Sequence, residues 1–174
     1  MSGGFTLMEA MIVVTLLGIV GLSFAALMVM SQRFMSQSVS FSNSQGDASF
    51  ALEHIKRYVT LATAITVPAA GASGNQLTFR WRPRAGQLER ESDYTLNGTD
   101  LRVVVTTFNN NGTVNNVAAP ERVARGIQSA GFPNIFTRDT AGRTITVNIT
   151  ARGTSGGDTR DTRLQTTFSP RGLF

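Results

Sequence analysis

The sequence predicts an α+β fold in which one long N-terminal helix packs on a C-terminal antiparallel β-sheet. Two observations predict this class. An uncharged, mainly apolar run of 22 residues extends from Ala10 to Ser31 in a chain of 174 residues. From Gln76 onward, apolar and polar residues alternate and turn residues recur, a pattern typical of strands.

Composition excludes several classes of site. The chain contains no cysteine, which excludes a disulfide framework, a thiolate metal site and a cysteine nucleophile. It contains one histidine, His54, which argues against a histidine zinc site and a Ser-His-Asp triad. We expect His54 to be a surface side chain, no cofactor to be bound and the chain not to be an enzyme.

The apolar run is long enough for a membrane span. At ~1.5 Å per residue, 22 helical residues cover about 33 Å, against a bilayer core of roughly 30 Å. A secretory signal would have a basic leader and a shorter apolar core, whereas Met1 to Gly4 contains no lysine or arginine. We therefore expect a transmembrane helix over residues 5–31. Glu9 is the exception in this segment, since a carboxylate at the edge of a membrane helix needs a partner.

The next segment, residues 32–67, is expected to continue the helix in amphipathic form. Apolar residues recur there at helical spacing. They are Ala48, Leu52, Ile55, Val59 and Ala62. Asn43 to Asp47 predicts a loosening or kink, with Asp47 capping a renewed helix. Pro68 ends the segment, so the helix is expected to span about 95 Å from Phe5 to Val67.

Residues 68–174 are expected to form one antiparallel sheet that covers the apolar face of the helix. Asn97-Gly98 between two strand patterns is a strong hairpin signal. Residues 144–151 and 163–170 read as further strands, with a loop over residues 153–161. The loop residues Asp158 and Asp161 are a weak calcium candidate, because two carboxylates fall short of a calcium-binding set.

The basic residues suggest one binding surface. The chain carries a net charge of +5, which suits nucleic acid, anionic lipid or acidic proteins, or simply maintains solubility. Arg80, Arg82 and Arg84 surround Trp81 and are the candidate DNA contacts. Trp81 alternates with Arg80 and Arg82, so the ring points away from the charges and is expected in the core.

A second charged pair lies just beyond this surface. Glu89 and Glu91 lie near Arg84 and Arg90 in the sequence. We expect them to form a solvated, ion-paired edge rather than an acid and base pair.

The segment Gly4-Phe5-Thr6-Leu7-Met8-Glu9, followed by an apolar helix, resembles the class III signal of type IV pilins and type II secretion pseudopilins. The resemblance implies that a prepilin peptidase removes residues 1–4 as a leader by cutting between Gly4 and Phe5. It also implies N-methylation of Phe5, and assembly through Phe5 and Glu9 with other subunits of this kind. The leader departs from the family pattern in having no basic residue.

The C-terminal part is similar to J-type or PilW-like minor subunits of that family. The similar segments are residues 94–102, 122–127 with Phe132, and 164–171. The resemblance implies a non-enzymatic minor subunit that initiates or caps a type IV pilus or a type II secretion pseudopilus. It implies a single-pass inner-membrane precursor with a periplasmic β domain, which then enters a periplasmic or cell-surface filament.

Two other functions were weighed against this one. The first keeps the anchor but makes the body a DNA-binding tip subunit of a competence pilus, active in natural transformation. The second, a membrane-tethered enzyme, lacks a catalytic constellation in the sequence.

Overall fold

The computed structural model describes residues 6–128, 134–155 and 157–171, without the side chains at positions 155 and 158. In this part of the chain, one helix, α1, is followed by eleven strands. Their bounds are α1 Leu7–Val59, β1 Ala62–Val67, β2 Ser73–Gly74, β3 Gln76–Trp81, β4 Arg90–Asn97, β5 Asp100–Phe108, β6 Val114–Val117, β7 Glu121–Ala124, β8 Ile127–Gln128, β9 Phe136–Arg138, β10 Ile145–Ser155 and β11 Asp158–Phe168. The expected α+β class, with a long N-terminal helix on antiparallel strands, is confirmed.

Helix α1 begins at a side-chain cap and ends in basic residues. The hydroxyl oxygen of Thr6 accepts a hydrogen bond from the backbone N–H of Glu9 at 3.3 Å, which satisfies one of the unpaired donors of the first turn. Lys56 and Arg57 occupy the last turn, where cations favour the carbonyl end of the helix. With 53 residues, α1 is about 80 Å long.

Two expectations about the helix were wrong. The helix ends at Val59, and the segment from Ala62 to Val67, expected to be helical, forms strand β1. Thr63, Ile65, Thr66 and Val67 are β-branched, which favours a strand that packs beside β3. The helix also continues through residues 43–47 without a break, so Asp47 lies inside α1 and does not cap a renewed helix.

The strands form two antiparallel sheets instead of the single sheet that was expected. The first has the order β1-β3-β4-β5-β6, with β7 also pairing with β5. The second has the order β11-β10-β9-β2, with β8 also pairing with β10. The hairpin between β4 and β5 turns at Gly98, whose φ of 64° is readily accessible only to glycine. The hairpin predicted at Asn97-Gly98 is therefore confirmed.

Strands β10 and β11 form one long hairpin, so the loop expected over residues 153–161 was wrong. The pairing runs from Ile145 opposite Phe168 to Ser155 opposite Asp158. Alternation in β10 supports this ladder, because Ile145, Val147 and Ile149 are all buried in the core.

The core lies between one face of α1 and the two sheets. The helix residues Ala48, Ala51, Ile55 and Val59 are fully buried, and their spacing of three and four places them on one side. They pack chiefly on β10, with further contacts to β7, β11 and β3. The second half of α1 therefore belongs to the globular part, as its amphipathic pattern predicts.

Candidate functional site

The N-terminal half of α1 is uncovered. Every side chain from Thr6 to Ser36 is exposed, including Leu7 at 83% and Leu22 at 75%. This helix is long and apolar enough to cross a membrane, and none of its most apolar stretch is buried within the chain. Such a large apolar surface needs lipid or other protein to cover it, so it is the main candidate functional surface.

Glu9 lies on this surface within the first turn of α1. Thr6 and Glu9 have the spacing of a capping box, in which a hydroxyl at the cap and a carboxylate three residues later serve the helix start. A negative charge there is also favoured by the helix dipole. Helix initiation is therefore a structural role for Glu9 beside the predicted assembly role. The predicted processing residues Gly4 and Phe5 lie outside the described residues.

The hairpin of β10 and β11 attaches the globular part to the middle of α1. The hydroxyl of Ser40 donates to the carbonyl of Thr154 at 3.0 Å, and the hydroxyl of Ser44 donates to the carbonyl of Arg152 at 3.1 Å. Gly153 lies between these contacts, so close that an added Cβ would come within 3.1 Å of the Cα of Phe41. Any side chain at position 153 would therefore press on the backbone of the helix at Phe41.

The candidate DNA contacts divide into two groups. Nε of Arg80 lies 3.0 Å from a carboxylate oxygen of Glu91, and its NH1 lies 3.9 Å from Glu89. The two glutamates thus form the expected ion-paired edge, with Arg80 in place of Arg84 or Arg90 as the cation. Arg82 and Arg84 are exposed. Of the three predicted contacts, Arg80 is the one already engaged by carboxylates.

Trp81 is 4% exposed, which confirms the expectation that it belongs to the core. Its indole N–H donates to the hydroxyl of Ser92 at 2.9 Å. The guanidinium of Arg90 lies over the ring, 5.5 Å from the centroid. A tryptophan held in this way is not available for stacking on nucleic-acid bases.

Of the two residues of the weak calcium candidate, the structure describes the side chain of Asp161. Asp161 accepts two hydrogen bonds from the guanidinium of Arg152, at 2.7 and 2.9 Å, and these bonds lower the pKa of the Asp161 carboxyl. The side chain of Asp158 lies outside the described residues. Among those that are described, no group of three or more histidine, aspartate or glutamate side chains is placed to hold a metal ion.

The expected surface position of His54 was wrong, because the ring is half-buried against the first sheet. Its Nδ1 lies 2.9 Å from the hydroxyl oxygen of Tyr94, which is fully buried. Burial raises the pKa of Tyr94, so the hydroxyl stays protonated. Burial also lowers the pKa of His54, an effect that Glu121 partly opposes and Arg57 reinforces. The sequence offers no signal for this pair, since its members are 40 residues apart.

A second residue missed at the sequence level is Arg138, at the end of β9. One nitrogen of its guanidinium donates to the carbonyl of Ile65 at 2.9 Å, and two others donate to the carbonyl of Gly142 at 3.0 and 3.2 Å. Because Ile65 belongs to the first sheet and Arg138 to the second, the guanidinium joins the two sheets.

No protein-family model matches the chain, and neither the curated proteins nor the solved structures give a match. The fold and the site geometry are therefore the basis for a function.

Proposed function

We propose that the protein is a non-enzymatic minor subunit of a type IV pilus or a type II secretion pseudopilus, which initiates or caps filament assembly. The observation that carries the proposal is the division of α1 into two halves. Its first half is apolar and uncovered, whereas its second half is fixed on a β domain. The signal-like segment Gly4 to Glu9 supports the same conclusion.

The division suggests a mechanism in which apolar surface moves from lipid to protein. As a precursor, the uncovered half of α1 would lie in the inner membrane, with the β domain outside. In the filament, the same surface would pack against the helices of other subunits, so it stays out of water in both states. The rigid link at Ser40, Ser44 and Gly153 would carry the β domain along with the helix.

Glu9 is the residue proposed to guide this transfer. A carboxylate in lipid or in a bundle of helices is partly desolvated and seeks a cation. After cleavage at Gly4, the amine of Phe5 on a neighbouring subunit would supply one. Removing one partner of a charge pair in such surroundings leaves the other unpaired, which is strongly unfavourable.

The variant Glu9→Gln tests this function, with Glu53→Gln as the matched control. Glu53 is an exposed carboxylate on the same helix, outside the apolar half. In cells that lack the wild-type copy, we expect Glu9→Gln to reach the membrane and be cleaved, but to be depleted from sheared filaments. Glu53→Gln should be incorporated normally. Equal incorporation of both variants, or absence of the wild-type protein from filaments, would contradict the proposal.

The alternative of a DNA-binding tip subunit rests on fewer residues than the sequence suggested. Arg82 and Arg84 keep exposed guanidinium groups, while Arg80 is paired with Glu91 and Trp81 is buried. The geometry of this surface therefore supports a filament subunit better than DNA binding through Arg80, Arg82 and Arg84.

A further inference from the structure

An open cavity of about 460 Å³ lies at the C-terminal end of α1, opposite the apolar half. Its lining combines the last turn of the helix with the residues just after it and with the end of the described chain. The lining residues are Glu53, Lys56, Arg57, Thr60, Leu61 and Arg171. Three of the six are cations and one is an anion, so the cavity carries two net positive charges.

We propose that this cavity binds a phosphate group carried by a larger organic molecule. The side chains of Lys56, Arg57 and Arg171 are exposed. Within the described parts of the chain, none of the three has a carboxylate within ion-pair distance. Guanidinium groups match the oxygens of a phosphate in geometry as well as in charge.

Arg171 brings a third cation to this end of the helix from a distant part of the sequence. Cations at the C-terminal end of a helix are favoured by the helix dipole, which acts through space on all three side chains. The backbone N–H of Arg171 donates to the carbonyl of Thr60 at 3.2 Å and so places the main chain of Arg171 beside the end of α1.

The same hydrogen bond makes the helix end more receptive to an anion. Free carbonyl groups at a helix C-terminus carry partial negative charge and repel anions. Four donors occupy carbonyl groups here. The N–H of Arg171 binds Thr60, the N–H of Thr60 binds Lys56 at 3.1 Å, and the N–H of Leu61 binds Tyr58 at 3.0 Å. The hydroxyl of Thr60 donates to the carbonyl of Arg57 at 3.1 Å. The negative end of the helix is thereby partly satisfied, and the positive side chains dominate the cavity.

The size of the cavity indicates a ligand larger than free phosphate. A volume of this order is typical of sites for small organic molecules, roughly 300 to 1,000 Å³. Leu61, which is 44% exposed, and the methylene stems of the basic side chains offer apolar surface beside the charges. A phosphate ester fits both parts, whether it belongs to a nucleotide or to a nucleic-acid strand.

Binding to the full-length protein in a neutral detergent tests the proposal. The probes are inorganic phosphate, a nucleoside monophosphate and a short labelled single-stranded DNA. The variant is K56Q/R57Q/R171Q, and the matched control is R125Q/R143Q/R160Q, which removes three exposed arginines outside the cavity. Far-UV circular dichroism and the emission of Trp81 verify that both variants are folded, and the single variant R171Q replaces the triple variant if it does not fold.

We expect a phosphate-bearing probe to bind at low ionic strength and the cavity variant to weaken binding at least ~10-fold, with little change in the control. If the probe is the DNA strand, the slope of the salt dependence should decrease by about 0.7 for each phosphate that the variant no longer neutralises. Preference for the nucleoside monophosphate would identify a small-molecule site, and preference for the strand a nucleic-acid site. The proposal is overturned if no probe binds, or if the control variant weakens binding as much as the cavity variant.

Discussion

The hydroxyl of Tyr94 lies 2.9 Å from Nδ1 of His54, and this contact joins the first sheet to the middle of the amphipathic half of α1. Tyr94 is fully buried and stacks on Phe79. The Tyr94 hydroxyl donates to Nδ1 or accepts from it according to the tautomer of the His54 ring. Desolvation by burial lowers the pKa of His54 and so favours the neutral ring in the folded structure.

This arrangement predicts that folding stability falls as the pH is lowered through the titration of His54. The pKa of His54 is lowered in the folded protein, so below the ordinary value of about 6.5 the unfolded chain binds the proton first. The free energy of unfolding is highest above about pH 6.5 and decreases as the pH falls, until His54 is also protonated in the folded protein. Trp81, the single tryptophan, reports thermal unfolding at each pH in a neutral detergent. The decline should disappear in His54→Gln, and an unchanged slope in that variant would refute the assignment.

The hydrogen bond itself can be tested with Tyr94→Phe. The change keeps the buried ring and removes the hydroxyl, which costs about 0.5 to 1.5 kcal/mol in the free energy of unfolding for a typical hydrogen bond. Tyr58→Phe is the matched control, because no hydrogen bond of its hydroxyl is found among the described residues. We expect a measurable decrease in thermal stability for Tyr94→Phe and little change for the control. Equal effects would mean that the bond contributes nothing specific.

A side chain added at Gly153 is expected to crowd the contact between the β10–β11 hairpin and the helix. In Gly153→Ala, the new Cβ would approach the backbone of Phe41, and backbone cannot move aside without shifting the helix. We expect a loss of about 1 to 3 kcal/mol, as for other overpacked sites. Gly46→Ala is the control, since nothing lies within 4 Å of its added Cβ, and it should stabilise α1 by up to about 1 kcal/mol. Chemical unfolding followed at Trp81 measures both changes. A neutral Gly153→Ala would show that the contact is loose.

We expect that lysine cannot replace Arg138, because the guanidinium of Arg138 joins the two sheets. A lysine ammonium cannot reproduce the fixed fork that reaches the carbonyls of Ile65 and Gly142 together. We expect Arg138→Lys to lose about 1 to 3 kcal/mol, the range for a buried acceptor left without its donor. Arg143→Lys, an exposed neighbour, should have almost no effect. Equal stability of the two variants would contradict the joining role of Arg138.

The N-terminal segment predicts a defined processed form. If the peptidase cuts between Gly4 and Phe5, the mature chain begins with N-methylated Phe5. Mass spectrometry of the protein isolated from its native membrane decides this. A chain that still begins at Met1, or one cut behind the apolar run, would rule out the class III signal. In Gly4→Leu, a bulky side chain before the bond should leave the precursor uncut.

Local sequence pattern predicts some features of this fold and cannot predict others. The apolar run predicts a helix by its length and composition, and the alternation of residue types in β10 predicts a strand, so both elements can be found from the local sequence. The end of α1 could not be found from spacing, since Ala62 continues the helical series although it begins β1. The β-branched residues after it were the available signal. The contact of Arg80 with Glu91 depends on the register between β3 and β4. The contacts of His54 and Arg138 depend on the packing of elements far apart in the sequence, which no local pattern contains.

The arrangement of the contacts between the β domain and α1 determines how they respond to a pulling force. The contacts at Ser40, Ser44, Ala48, Ile55 and Val59 are distributed along the axis of a single uninterrupted helix. A pull on the apolar end, directed along that axis, would load all of them at once in shear instead of peeling them apart one by one. The force needed to separate the β domain from α1 is then set by all these contacts acting together. A pull on the helix therefore moves the domain without detaching it.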